Sequence, residues 1–519
     1  MADRFSGFLY RHRVALFAIW LGHAFLIHYF VLGYMSGDGL SYRVVPVIEL
    51  LQHGDLGKWK YPTDWTLRGY VPFVELAHLP FLAVFGLRGL IIGFPLVVFP
   101  LCVAAVFLLI RELTSDPRAA MVGAVTYVAM PMINQQAFGG LVDFAVAGIL
   151  AFWLYALLRL RAERSWRTWV RIVIATVMLS LARQHGVYLA IALLPIVLYA
   201  CFGSRDGFRI KIASWGAIAR AVAAFLVGAL PAVGLQIYRG LTYGSPLAPS
   251  ELKLLGVKLA DGAPLSSYLI DAGIQGDSVG ALARGFLDGW VWHVDWPMGA
   301  FYHSQFMGAG FLFLLALIVL PVVLRHATPL ERWVLFGLIA ISVMARDFAL
   351  PRWCYGLTIA VPIVVGRGMS LLAGARRGRP VFWAGAAILI LQLLRPELDI
   401  LQLRTGAWIS PRINVGESPL FVRGDADLRA YPDGGHQLAI VETTGRLYTA
   451  HLFGLGLTNE VVGTIRLTAL GERCAGIAPI LAAHPDVVFV DDFDHTKACD
   501  RTCVIPTRSR CWGFRIRLP

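Results

Sequence analysis

The sequence predicts an α-helical polytopic membrane protein with a small α/β domain at its carboxyl end. Three observations carry that prediction. The 519 residues are 57% hydrophobic and 15% charged, with a mean hydropathy of +0.65; an average soluble protein has about 25% charged residues. Apolar runs long enough to cross a bilayer recur along the first 396 residues. The net charge of +13 comes from lysines and arginines gathered in short loops between those runs. A disordered chain, a coiled coil and an ordinary soluble enzyme are excluded. The basic balance is that of cytoplasmic loops rather than of a nucleic-acid binder.

The first run, Val14–Gly33, follows Arg4, Arg11 and Arg13. It is too long for a signal-peptide core and lacks a small-residue cleavage site. It reads as a retained first helix with its amino end in the cytoplasm. Further runs at about 89–110, 119–134, 142–160, 170–183, 186–203, 217–238, 307–325, 332–346, 353–373 and 381–396 bring the expected total to about eleven spans. Residues 72–85 are apolar but short, and read as a re-entrant or interfacial segment on the outer side.

Threading these spans alternately places 19 lysines and arginines in the 67 residues of the inside loops. Arg159, Arg161, Arg164, Arg167 and Arg171 fill one such loop, and Arg376, Arg377 and Arg379 another. The outside connections are clearly poorer in basic residues. The bias supports an odd number of spans, with the amino end inside and the carboxyl end outside. The expected division is a transmembrane module, 1–396, with large outer loops at 34–72 and 239–306, and an outer α/β domain, 397–519. Strand-like runs at 437–442 and 487–490 and a helical stretch near 475–484 mark the latter. Cys474, Cys499, Cys503 and Cys511 lie in this tail. An oxidising compartment favours disulfides among them, in one of three pairings. A zinc site built from Cys499, Cys503, Cys511 and His495 is the alternative. Cys102, Cys201 and Cys354 lie in or near spans and read as inert core residues.

Ionisable residues in such a chain face a cavity or an interface, and five outer-side places hold them. Asp38 stands between Gly37 and Gly39, just after the first span, with Tyr42 and Arg43 following. It is placed to act as a general base on an acceptor hydroxyl; the plainer reading is a helix cap. Asp143 follows Gly139-Gly140 at the start of a span, as a second acidic group or as a carboxylate favoured by the helix dipole. Arg183 and His185 occupy an outer hairpin and suit a phosphate, or snorkel to the interface. The loop from Tyr243 to Trp296 carries Lys253 and Lys258, then Trp290, Trp292, His293, Asp295 and Trp296. Its indoles can stack on sugar faces or form an interfacial belt. Arg346, Asp347 and Arg352 sit at an outer boundary, against the usual charge trend. Two carboxylates and several cations at one membrane face suit binding of a lipid phosphate and activation of a hydroxyl.

These pieces resemble the GT-C superfamily of integral membrane glycosyltransferases over residues 14–373. The resemblance is carried by Gly37-Asp38-Gly39 after an inside-starting helix and by the apolar segment from Tyr70-Val71-Pro72 to Phe85-Gly86. It continues through Arg111-Glu112-Leu113 with Asp116-Pro117-Arg118, Met130-Pro131 and Asp143. Tyr243-Gly244-Ser245-Pro246-Leu247-Ala248-Pro249 with Lys253, and Arg352 opening a late helix, complete it. The Asp38 loop and the 243–253 stretch are most similar to the bacterial arabinofuranosyltransferase and protein O-mannosyltransferase-like branch. The resemblance implies a polyprenyl monophosphate sugar donor and a glycan, lipid or protein acceptor. It implies inverting transfer at the periplasmic face of the bacterial inner membrane, with Asp38 as base. Arg352 first, then Arg346, Lys253, Arg183 and His185, would meet the donor phosphate, with Asp143 in support. Tyr42, Trp290, Trp292 and Trp296 are the candidate sugar or acceptor contacts. No cofactor follows from the motifs. A divalent cation is the one candidate, and the serine and glycine preceding Asp38 give it few ligands. Two other classes share the hydropathy: a lipid or solute transporter, and a ligase or polymerase of lipid-linked glycans. Polar residues gathered at one face favour the enzyme over the transporter, whose sites lie near the midplane.

Overall fold

The computed structural model describes residues 2–27, 44–54, 73–206, 209–212, 214–243, 252–254, 257–260, 290, 308–344, 354–394, 433–442, 454, 456–466, 479–480, 482–491 and 511–513. Its principal helices are α1 Ala2–Leu26, α2 Val45–His53, α3 Leu79–Phe85, α4 Phe99–Thr114, α5 Pro117–Ala129, α6 Pro131–Gly139 and α7 Asp143–Ala162. They continue as α8 Trp166–Ala182, α9 Gln184–Phe202, α10 Trp215–Tyr243, α11 Phe311–His326, α12 Pro329–Met344, α13 Tyr355–Gly374 and α14 Arg379–Leu393. Each apolar run of the sequence is mostly helix over its described residues. Among those residues, four stretches are long and apolar enough to cross a membrane: Glu75–Thr114, Asp143–Ala162, Trp215–Tyr238 and Tyr355–Gly374.

Two boundaries differ from the sequence expectation. The run 119–134 is broken: α5 ends at Ala129, Met130 is extended (φ −65°, ψ 124°), and Pro131 opens α6. A residue before proline is pushed out of the helical region, so one expected span becomes two helices. The first helix begins at Ala2, well before the apolar run at Val14.

The chain divides into two compact units. The first comprises residues 1–25, 96–137 and 142–413. At its centre lie α7 and α13, whose most apolar windows are 83% and 78% buried. Glycine lets the helices around them come close. A Cβ on Gly366 of α13 would stand 2.4 Å from the Ala119 carbonyl oxygen of α5, and one on Gly123 of α5 would stand 2.8 Å from that of Pro362. Gly148 of α7 meets Cys102 of α4 in the same way. Small residues at such crossings bring backbones into contact where no hydrophobic effect drives association. Gly366→Ala is therefore expected to lower stability by about 1–3 kcal/mol through overpacking. Gly374→Ala, with nothing within 4 Å, should unfold like wild type. Thermal unfolding in detergent compares them, and equal transitions would refute the crossing. The periphery is the reverse of the centre. Leu226, Leu230, Val233 and Ile237 of α10 are 58%, 63%, 51% and 58% exposed, a stripe suited to lipid rather than water.

Several helix ends of this unit are tied by caps and ion pairs. Thr328 and Glu331 form a capping box on α12: the Thr328 hydroxyl accepts from the Glu331 amide at 3.2 Å, and the Glu331 carboxylate accepts from the Thr328 amide at 2.5 Å. Arg367 of α13 lies 3.3 Å from Glu331 and 3.8 Å from Asp116, the cap of α5. Beyond α7, Glu163 accepts from Arg159 and Ser165. The Ser165 hydroxyl and then the Arg159 guanidinium hold its carboxyl below the usual range.

The second unit comprises residues 26–95, 138–141 and 414–519. Residues 75–95 fold back on themselves. Gly86 takes φ +58° and ψ −146°, a conformation open to glycine. Gly89 then packs on the Phe81 backbone and Gly93 on His78. Residues fifteen apart in a straight helix would be about 22 Å apart, so the stretch from Glu75 is not one rod. The tail contributes a parallel sheet in the order β2-β1-β3-β4, where β1 is Gln437–Glu442, β2 Glu460–Arg466, β3 Val488–Asp491 and β4 Cys511–Gly513. Gln52 of α2 docks on it. The Gln52 Nε2 donates to the Leu457 and Asn459 carbonyls, both at 2.8 Å. Asp433 braces this turn by accepting from the Gly456 amide and the Thr458 hydroxyl, each at 3.0 Å. Cys474, Cys499 and Cys503 lie outside the described residues.

Candidate functional site

The first unit brings together two residues singled out in the sequence and one that was not. Asp143 is the first residue of α7, where a carboxylate is favoured by the helix dipole. Its side chain is fully buried. Arg183 is the single extended residue (φ −161°, ψ 143°) between α8 and α9. Gly186 allows so tight a join, since a Cβ there would stand 2.6 Å from the Leu179 carbonyl oxygen. Tyr355 is the first residue of α13 and is 1% exposed. The Arg183 Nη1 lies 2.5 Å from the Asp143 Oδ1 and donates to the Tyr355 hydroxyl at 3.1 Å. The Tyr355 hydroxyl donates to the same Asp143 oxygen at 2.9 Å. Three groups thus close a triangle at the amino ends of α7, α9 and α13, and each of those ends directs backbone N–H groups outward.

The triangle is braced from behind. The Tyr127 hydroxyl donates to the Phe144 carbonyl at 2.6 Å, holding the first turn of α7 against α5. The Ser342 hydroxyl of α12 accepts from the Leu357 amide at 3.0 Å, capping the first turn of α13. Both central helices are packed along most of their length, so Asp143 and Tyr355 stand on rigid elements, as a preorganised site requires. Arg183 is 16% exposed against 0% for Asp143. The guanidinium is therefore the more exposed of the two, with the carboxylate behind it.

Of the other candidates, His185 lies in the first turn of α9, two residues from Arg183. Lys253 sits in a short strand, Leu252–Leu254, paired with Val257–Ala260 in an antiparallel hairpin. Trp290 is fully buried, with its ring 5.4 Å from that of Phe313 and against Gly308. Asp38, Tyr42, Trp292, Trp296, Arg346 and Arg352 lie outside the described residues. Among the described residues, no group of three or more His, Cys, Asp or Glu is arranged to hold a metal ion.

No protein-family model matches the sequence, and no curated protein matches it significantly. Solved structures do. The apo structure of ArnT from Cupriavidus metallidurans is similar with a TM-score of 0.53 and 13% identity, over 91% of this chain and 89% of that one. ArnT bound to undecaprenyl phosphate gives 0.44 and 15%, over 76% and 72%. The oligosaccharyltransferase AglB from Archaeoglobus fulgidus, in complex with an inhibitory peptide and a dolichol-phosphate, gives 0.45 and 14%. That match covers 87% of this chain but 65% of AglB, so the chain spans less than two thirds of that protein. ArnT and AglB are GT-C membrane glycosyltransferases. At these identities the likeness is one of fold, and the polytopic helical fold shared with ArnT is the one the sequence resemblance implied.

Proposed function

We propose that this chain transfers a sugar from a polyprenyl monophosphate to an acceptor hydroxyl at the periplasmic face of the bacterial inner membrane. The observation that carries the reading is the triangle of Arg183, Asp143 and Tyr355 at three converging helix amino ends. A half-buried, oriented cation at helix amino ends suits a phosphate, the diester of the donor and the monoester that departs from it. In the proposed reaction Asp38 takes the acceptor proton and the acceptor oxygen attacks the anomeric carbon. The bond from that carbon to the phosphate oxygen breaks on the opposite side. The polyprenyl phosphate departs with the electron pair, and configuration inverts. The charge that develops on the departing phosphate is what Arg183, with Lys253, Arg346, Arg352 and His185, would stabilise. Asp143 fixes the guanidinium and is not the base.

The tail is proposed as a periplasmic domain. Its docking on α2, which follows the first span in sequence, supports a common side for the tail and the first loop. The loop charges support that side being the outer one.

The test uses purified protein in detergent, undecaprenyl phosphate carrying each of a panel of pentoses and hexoses, and an acceptor extract from bacterial envelopes. Release of undecaprenyl phosphate from one donor is the expected result, and that donor names the sugar. Movement of the intact sugar lipid across sealed proteoliposomes without release would favour the transporter instead.

A further inference from the structure

Among the described residues, two amide side chains buried in the first unit meet no hydrogen-bond partner. Asn134 is 1% exposed and Gln136 is fully buried. Among the described residues, the Oδ1 and Nδ2 of Asn134 and the Oε1 and Nε2 of Gln136 have no hydrogen bond. Both residues lie on α6, a short helix between the Met130-Pro131 break and the Gly140 turn (φ +77°) that leads to Asp143. Their described neighbours Met132, Ile133 and Ala137 are apolar and 2% exposed or less. Leucine or methionine would fill the same space without stranding a polar group, and native proteins leave few buried polar groups unanswered. A third amide repeats the pattern. The Gln392 Nε2 of α14 donates to the Ala309 carbonyl at 3.2 Å, while its Oε1 is buried without a hydrogen bond. The Met132 amide of α6 lies 3.4 Å from the adjacent Gly308 carbonyl, so Gln392 and the start of α6 hold neighbouring peptide groups.

An uncharged amide presents a donor and an acceptor side by side. A phosphate, which chiefly accepts, would answer half of it, and a polyprenyl tail none. A hydroxyl both donates and accepts, and a sugar carries several in fixed positions. Asn134 and Gln136 are two residues apart, so they project to different sides of the helix and answer separate hydroxyls. We infer that Asn134 and Gln136, with Gln392, recognise hydroxyl groups of the transferred sugar, and so set which sugar lipid is accepted. The inference rests on the proposed function for the identity of the ligand.

The experiment compares wild type with Asn134→Leu and Gln136→Met as full-length proteins in detergent. Two quantities are read: thermal unfolding without ligand, and the affinity for undecaprenyl phosphate with and without its sugar. Apolar replacement of an unanswered buried amide is expected to leave the unfolding temperature unchanged or raised. Affinity for the bare lipid should stay at the wild-type value. The extra affinity conferred by the sugar should fall by roughly 3- to 10-fold per amide, the equivalent of one uncharged hydrogen bond. Asn134→Ala and Gln136→Ala serve if the larger side chains do not pack. Undiminished preference for the sugar-bearing lipid in both variants would overturn the inference and leave the proposed function standing. Failure of wild type to bind either lipid would overturn the proposed function, and the sugar assignment with it.

Discussion

Arg183→Ala is expected to destabilise the protein by about 3–5 kcal/mol, the cost of leaving a buried carboxylate without its cation. The Asp143 side chain has no solvent exposure, and its Oδ1 lies 2.5 Å from the Arg183 Nη1. Removing the guanidinium leaves that charge no water to turn to. It would then have to take up a proton, or the amino ends of α7 and α13 would have to part. A double variant, Asp143→Asn with Arg183→Gln, removes both charges and keeps polar groups in place. It should recover much of the lost stability without recovering transfer, because Arg183 is proposed to stabilise the departing phosphate. Tyr355→Phe removes one hydroxyl from the triangle and should cost less, about 1 kcal/mol. Thermal unfolding in detergent, beside release of undecaprenyl phosphate, reads both effects. An Arg183→Ala protein that unfolds and reacts like wild type would remove the triangle from structure and mechanism alike.

Two members of that triangle were legible in the sequence and the third was not, for a physical reason. Asp143 and Arg183 are ionisable groups at the edges of long apolar runs, where a charge has to be accounted for. Tyr355 carries no such signal, because tyrosine at the start of a membrane helix is ordinary interfacial chemistry. Its partners lie 172 and 212 residues away, and pattern along the chain is blind to contacts at that distance. The same holds for Gln52, an unremarked neutral residue whose two hydrogen bonds fasten the tail to α2. The break at Met130-Pro131 is a different case. The proline was in plain view, yet hydropathy carries no information about backbone angles, so one apolar run stood for two helices. Asn134 stood at the end of that run and Gln136 two residues beyond it, where hydropathy gave neither amide a signal.

Asp38→Asn is expected to slow sugar transfer by roughly 10²–10⁴-fold, the range lost with a general base, while the donor binds with unchanged affinity. The substitution keeps the size of the side chain and removes its ability to take the acceptor proton. A base must be within reach of that proton, and this is what separates the two carboxylates. Asp143 is fully buried, lies against Arg183, and accepts from the Tyr355 hydroxyl. An acceptor molecule would have to break that triangle to use it. Asp38, between two glycines in the sequence, is proposed to lie in an outer loop, where glycine would let a ligand approach closely. The comparison is made on protein shown to be folded by its unfolding temperature, with undecaprenyl phosphate release and donor affinity measured on the same preparation. Loss of release with donor affinity intact assigns the proton transfer to Asp38. Equal release by the two proteins would exclude it and force the base to be sought elsewhere in the outer loops. Loss of donor affinity instead would make Asp38 part of the donor site, and the acceptor would then be activated by another group.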